Sequence, residues 1–185
     1  MKKKQQLPIT YLSNETQASS LVEEPFMPFY SDGVVIGNTS GNPLSKTLSM
    51  IGIANTKQYS FVTNEGDFIT IIREGLPKIA MDTMVNYTGI PSVEMAEIMR
   101  ISERTLRRYT NETILNPEQS ERLIELARLY TKGEDVFGSL LQFNQWMNSE
   151  VVALGQKKPK AFLDTSFGIQ MLMDELGKIE HGIFA

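Results

Sequence analysis

The stretch Pro159–Ala185, PKAFLDTSFGIQMLMDELGKIEHGIFA, decides what kind of fold this chain adopts. Leu172, Leu176, Ile179 and Ile183 recur at helical spacing and Ile169 and Met173 widen the stripe, while Asp174, Glu175, Lys178 and Glu180 fall elsewhere around the helix. One apolar stripe on a 3.6-residue period predicts an amphipathic helix that buries a single face against other helices. Thr165 or Ser166 can cap its start with a side-chain oxygen, and Gly182 can end it by taking positive φ without a Cβ clash. Ile183-Phe184-Ala185 then follow, and such an apolar tripeptide must either fold back on its own core or be covered by something else. Burying Ile183 and Phe184 would contribute roughly 1.5–3 kcal/mol each before association costs, enough to matter in a complex and too little to form one alone.

Upstream, Asn116-Pro117-Glu118 reads as a helix start: asparagine caps, proline takes the first position, and an acid meets the positive end of the dipole. Leu123, Leu126 or Ala127, and Tyr130 form its apolar side, and Gly133 is expected to end it. A second helix is predicted over about 134–149, with Val136, Phe137, Leu140, Leu141, Phe143 or Asn144, and Met147 giving broad apolar coverage. Trp146 reads as core or as a partner contact. A loop with Gly155, Lys157, Lys158 and Pro159 leads on; its lysines, with Lys160, are a solvated basic spot or a steering patch for an acidic partner. Residues 117–185 thus read as a compact helical domain too small for a cofactor cavity, and no cofactor is expected.

Residues 67–116 carry shorter helical patterns with clear punctuation. Phe68, Ile69, Ile71 and Ile72 can form the buried side of a helix stopped by Gly75. Pro77 suits the start of a second, in which Ile79 or Ala80, Thr83 or Met84, and Tyr87 recur until Gly89. Ser92–Met99 and Ser102–Tyr109 follow, joined by the tight turn Arg100-Ile101-Ser102, and two short helices so joined match a helix-turn-helix. Residues 100–108 hold four arginines against one glutamate on a chain that is otherwise acidic. Such a cluster can be no more than a solvated face with helix salt bridges, but a recognition helix needs arginines that fork onto guanine edges or phosphates. Arg104 and Arg107 are therefore the candidate groove readers, and Ser102, Thr105 and Arg108 the candidate backbone anchors. So few cations per subunit call for a homodimer on a symmetric operator.

Several of these residues carry a family resemblance. Leu154-Gly155, the Pro159-led segment ending Phe162-Leu163-Asp164-Thr165, and Leu176-Gly177-Lys178-Ile179-Glu180-His181-Gly182-Ile183-Phe184-Ala185 resemble the C-terminal toxin-binding domain of the Xre/MbcA/ParS-type antitoxins. Residues 92–109 resemble the Xre helix-turn-helix of the same family, with one departure: Arg100 stands where that motif commonly has glycine. The resemblance implies an antitoxin that sequesters a RES-domain toxin, which consumes NAD, within a higher toxin-antitoxin complex. It also implies that Ile179, Glu180, His181, Gly182, Ile183, Phe184 and Ala185 bind that toxin and block the way to its active site. The alternative is a stand-alone helix-turn-helix regulator whose C-terminal domain only dimerises.

The whole chain is consistent with that reading. Its 185 residues carry 22 acidic against 18 basic side chains, a net charge of −4, so nucleic-acid binding must come from a local patch. The absence of cysteine excludes disulfides and thiolate metal sites and fits a cytoplasmic location. No apolar run is long enough for a membrane span. No phosphate-cradling glycine loop, paired-histidine metal spacing or nucleophile elbow is present, and the single histidine, His181, has no partner at a catalytic spacing, so no enzyme is expected. Residues 1–66 hold eight Ser, six Thr and five Asn, a turn-favouring composition that predicts a partly disordered N-terminal extension with one or two pieces docked on the main body. The expectation is an all-α protein: the extension 1–66, a small helix-turn-helix domain 67–116 and a toxin-binding domain 117–185.

Overall fold

The helix that opens at Asn116 is the axis of the molecule. In the computed structural model, which describes residues 42–183, α6 runs Pro117–Phe137, 21 residues or roughly 30 Å at 1.5 Å per residue. Its start is the reciprocal cap written in the sequence: Asn116 Oδ1 accepts from the Gln119 amide at 2.8 Å, and Gln119 Oε1 accepts from the Asn116 amide at 3.1 Å. The helix does not stop at Gly133, which lies buried inside it; Gly138, in the left-handed conformation, ends it instead. Gly133 is there for closeness, because the Phe143 ring occupies the space a Cβ would take.

The predicted second helix over 134–149 is correspondingly shorter. Residues 134–137 belong to α6, and α7 begins anew at Leu140, capped by Ser139, and runs to Asn148. Phe143 meets Tyr130 edge-on with centroids 5.0 Å apart, and half-buried Trp146 clusters with Phe137 and Phe143 at 5.5 and 5.8 Å. Two 3₁₀ turns, Val152–Leu154 and Pro159–Phe162, lead to α8, Ser166–Glu180. Thr165 rather than Ser166 is the cap, its hydroxyl accepting from the Gly168 amide at 3.0 Å. Ile169, Leu172 and Leu176 are buried against α6 and its neighbours.

The preceding part of the chain packs on the same axis. Helix α2, Phe68–Glu74, buries Phe68 and Ile71, ends at Gly75, and packs on α6; Ile69, expected inside, is exposed. Helix α3, Lys78–Thr88, turns Ala80 and Met84 inward rather than Ile79 and ends at Gly89. Helices α4, Ser92–Ile98, and α5, Glu103–Leu106, complete the helix-turn-helix, with Met95, Ala96, Ile98, Met99 and Ile101 buried at their crossing.

Of the N-terminal extension, positions 1–41 lie outside the described residues, and positions 42–66 are folded onto the body. Helix α1, Pro43–Met50, is capped by Asn42 and packs against α6, where Thr47 Oγ1 lies 3.2 Å from Thr131 Oγ1 and Lys46 pairs with Asp135. Ile51, Ile53 and Tyr59 continue into the core, and two further 3₁₀ turns, Lys57–Tyr59 and Glu65–Asp67, bridge to α2. Among the described residues there is no strand, only the bridges Pro77–Ile114 and Val151–Lys157. The fold is all-α.

Candidate functional site

The candidate DNA-reading residues sit on a very short helix. Ser102 caps α5 by accepting from the Thr105 amide at 3.1 Å, and the two hydroxyls lie 2.8 Å apart, so Ser102 and Thr105 form one local unit. The regular helix stops at Leu106, three residues before the expected end at Tyr109. Arg108 and Tyr109 donate to carbonyls only three residues back, Thr105 and Leu106, at 3.0 and 3.1 Å. The path tightens because the chain must return at once to α3. The Lys78 amide donates to Thr113 O and the Leu115 amide to Leu76 O, both at 2.8 Å. Arg104, Arg107 and Arg108 all remain exposed. Arg107 lies 3.2 Å from Glu103 on an exposed i,i+4 pair, an interaction weak enough to yield to a phosphate.

The turn before α5 is shaped by Arg100, whose φ of 54° is left-handed. Glycine adopts that conformation freely, and an L side chain there costs about 1 kcal/mol. The turn is kept nonetheless, with the Ile101 amide donating to Ala96 O at 2.9 Å. The Arg100 guanidinium reaches out of the helix-turn-helix to donate to the Asp164 carbonyl at 3.3 Å and to lie 3.7 Å from the Glu118 carboxylate.

At the other end of α8 the helix is closed in an orderly way. The Gly182 amide donates to Ile179 O at 3.0 Å and the Ile183 amide to Lys178 O at 2.9 Å, with Gly182 at φ 66°. That pair of bonds is a Schellman closure, which often clips an apolar residue after the glycine onto one in the last turn. Here the position in the last turn that such a clip would use is Lys178, and Ile183 is 61% exposed. Burial along the helix therefore fades outward: Leu172 and Leu176 are sealed, Ile179 is half-buried, and Ile183 stands in solvent. Glu180 pairs with Lys132 of α6, and that bonded ammonium holds its carboxyl below the ordinary glutamate range. His181 is exposed at the C-cap. Phe184 and Ala185 lie outside the described residues.

Two family models match this arrangement. One, described as the antitoxin Xre-like helix-turn-helix domain, covers residues 67–128. The other, the antitoxin Xre/MbcA/ParS C-terminal toxin-binding domain, covers residues 132–182. The chain belongs to the Xre/MbcA/ParS antitoxin family. It is similar to the antitoxin Xre of Yersinia enterocolitica, 30% identical over 116 residues, which span 62% of this chain and 78% of that protein. Similarity to the antitoxin Xre of Photorhabdus laumondii subsp. laumondii is 30% over 115 residues, 61% of this chain and 78% of that one.

This antitoxin thus carries a helix-turn-helix domain and a toxin-binding domain, and one match ends and the other begins inside α6. No helix among its described residues is long and apolar enough to cross a membrane. The structure brings Ser102, Arg104, Thr105, Arg107 and Arg108 together at α5, and places Ile179–Ile183 at the far end of α8. Sequence reasoning missed the residues that brace these two surfaces. Lys132 pairs across 48 positions and Arg100 across 64, separations for which no local signal exists. Only the non-glycine residue at the turn marked Arg100 as unusual.

Proposed function

We propose that this antitoxin neutralises a RES-domain, NAD-consuming toxin by laying residues Ile179–Ala185 over the toxin's active site, and that it represses its own operon through α5. The observation that supports this reading most is Ile183, exposed just after a helix whose other stripe residues are buried or half-buried. A large apolar side chain held in solvent at the end of a braced helix is the geometry of an anchor awaiting a groove. Lys132 keeps the last turn on α6, so the anchor is presented from a fixed base and less ordering is needed on binding.

The DNA arm rests on exposed arginines flanking a helix whose first turn is closed by Ser102 and Thr105. A homodimer places two such helices on a symmetric operator, and toxin subunits added to that dimer give a higher toxin-antitoxin complex in the cytoplasm. The antitoxin itself performs no chemistry in this scheme: His181 contacts the toxin rather than a substrate.

Co-expression with the product of the neighbouring reading frame tests the scheme. Deleting Ile183–Ala185 is expected to release NAD loss while operator binding persists. Retained NAD in cells making the truncated antitoxin and an active toxin would reject the blocking mechanism, and an NAD pool untouched by the toxin alone would reject the toxin class.

A further inference from the structure

The segment that joins the two surfaces is Phe162–Gly168, between the last 3₁₀ turn and α8. It is fitted closely: a Cβ on Gly168 would lie 2.1 Å from the Phe162 carbonyl oxygen. It is held from two sides. Ser166 Oγ donates to the Glu125 carboxylate of α6 at 3.0 Å, and Arg100 of the helix-turn-helix donates to the Asp164 carbonyl at 3.3 Å. Asp164 directly precedes Thr165, the residue that caps α8. The turn that sets α5 and the cap that sets the toxin-binding helix are therefore one side chain apart.

This seam is polar where most of the core is apolar. Along α6, Glu118, Arg122 and Glu125 follow one another at i, i+4 and i+7. Arg122 is 8% exposed, its Nη1 has no hydrogen-bond partner, and Glu125 is 3.8 Å from it. A buried guanidinium whose Nη1 is held only by a long ion pair to Glu125 makes this seam a polar contact set within an otherwise apolar core.

We infer that Arg100 is a positioning residue that carries the state of the DNA-reading turn to the start of α8, so that DNA held at α5 alters the setting of the toxin-binding helix. The inference rests on the proposed DNA-binding and toxin-binding roles. A glycine at this turn would have no side chain to reach Asp164.

The test uses the full chain and Arg100→Gly, which keeps the left-handed turn while removing the strut. Amide hydrogen exchange at Gly168 and Ile169, whose N–H groups bond to Thr165, reports the setting of the helix start. Exchange is followed in the free chain and with a duplex from upstream of the antitoxin's own reading frame at saturation. We expect Arg100→Gly to melt no lower than the parent and to bind the duplex within about threefold of it. Exchange at both amides should be at least threefold faster in the free variant, and only the parent should slow on DNA addition. Arg100→Lys, which keeps a donor, is expected to recover part of the response. Equal exchange in the two free chains, or an equal DNA response, overturns the inference. A parent chain that binds no duplex overturns the repressor role and the coupling with it, while the free-chain comparison still decides whether the strut exists.

Discussion

Gly133 lies beneath the ring of Phe143, so close that a Cβ built on it would fall 2.4 Å from two ring carbons. This contact, more than any propensity, lets α6 continue through a glycine and seats α7 against it. A glycine-to-alanine change inside a helix ordinarily gains about 1 kcal/mol. Here the added methyl must displace a fully buried aromatic, and overpacking of that kind costs about 1–3 kcal/mol. Gly133→Ala is therefore expected to lose the helix-propensity gain and up to about 2 kcal/mol beyond it, lowering the melting temperature by up to about 8 °C in a calorimetric scan. A rise would show that Phe143 swings aside freely and that the seat is not tight.

Replacing Arg104 and Arg107 together by alanine should abolish operator binding while leaving the fold intact. Both are exposed, and the Arg107–Glu103 pair contributes little to stability. Each arginine reading a base edge carries about 1–3 kcal/mol of discrimination, and each phosphate contact contributes about 0.9 to the salt slope. Fluorescence anisotropy on the operator, repeated across salt concentrations, separates the two roles. An unchanged isotherm would remove both residues from the reading surface.

The Lys132–Glu180 pair makes the end of α8 sensitive to acid. The carboxyl of Glu180 is held below its ordinary 4.5, so the pairing is fully present above that value and is lost as pH falls through the lower folded-state value. In side-chain NMR, Glu180 is expected to titrate below 4.5, and in Lys132→Ala it should return toward that value. The same variant should show faster amide exchange at His181 and Gly182, whose N–H groups close the last turn. A Glu180 titration indifferent to Lys132 would mean the pair does not brace the helix in solution.

The features legible in the sequence were those with local causes. Asn116-Pro117, the stop at Gly89, the stop at Gly75 and the spacing of Leu172 and Leu176 all act within a turn or two of chain, and each stands where the pattern put it. Gly133 defeats a local reading because a glycine that ends a helix and one that admits a ring look alike until Phe143 is in place. The truncation of α5 depends on bonds from 113–115 back to 76–78, and the braces from Arg100 and Lys132 depend on segments far along the chain. The composition of residues 1–66 points to one or two docked pieces, but nothing local to α1 says that α6 is the dock.

Ile183 offers the sharpest test of the anchor, because its contribution to folding and its contribution to binding should separate. At 61% exposure it gives little to the antitoxin's own core, so Ile183→Ser should change stability by no more than about 0.5 kcal/mol. Leu176, fully buried on the same helix, is the contrast: Leu176→Ala should cost about 2–5 kcal/mol. If a groove on the toxin covers Ile183, losing that apolar surface removes about 1.5–3 kcal/mol of burial, about ten- to hundredfold in affinity. Calorimetric titration of the toxin into each antitoxin, set beside their thermal melts, gives both quantities. A serine variant that melts early and binds normally would place Ile183 in its own fold, and the anchor would have to lie elsewhere.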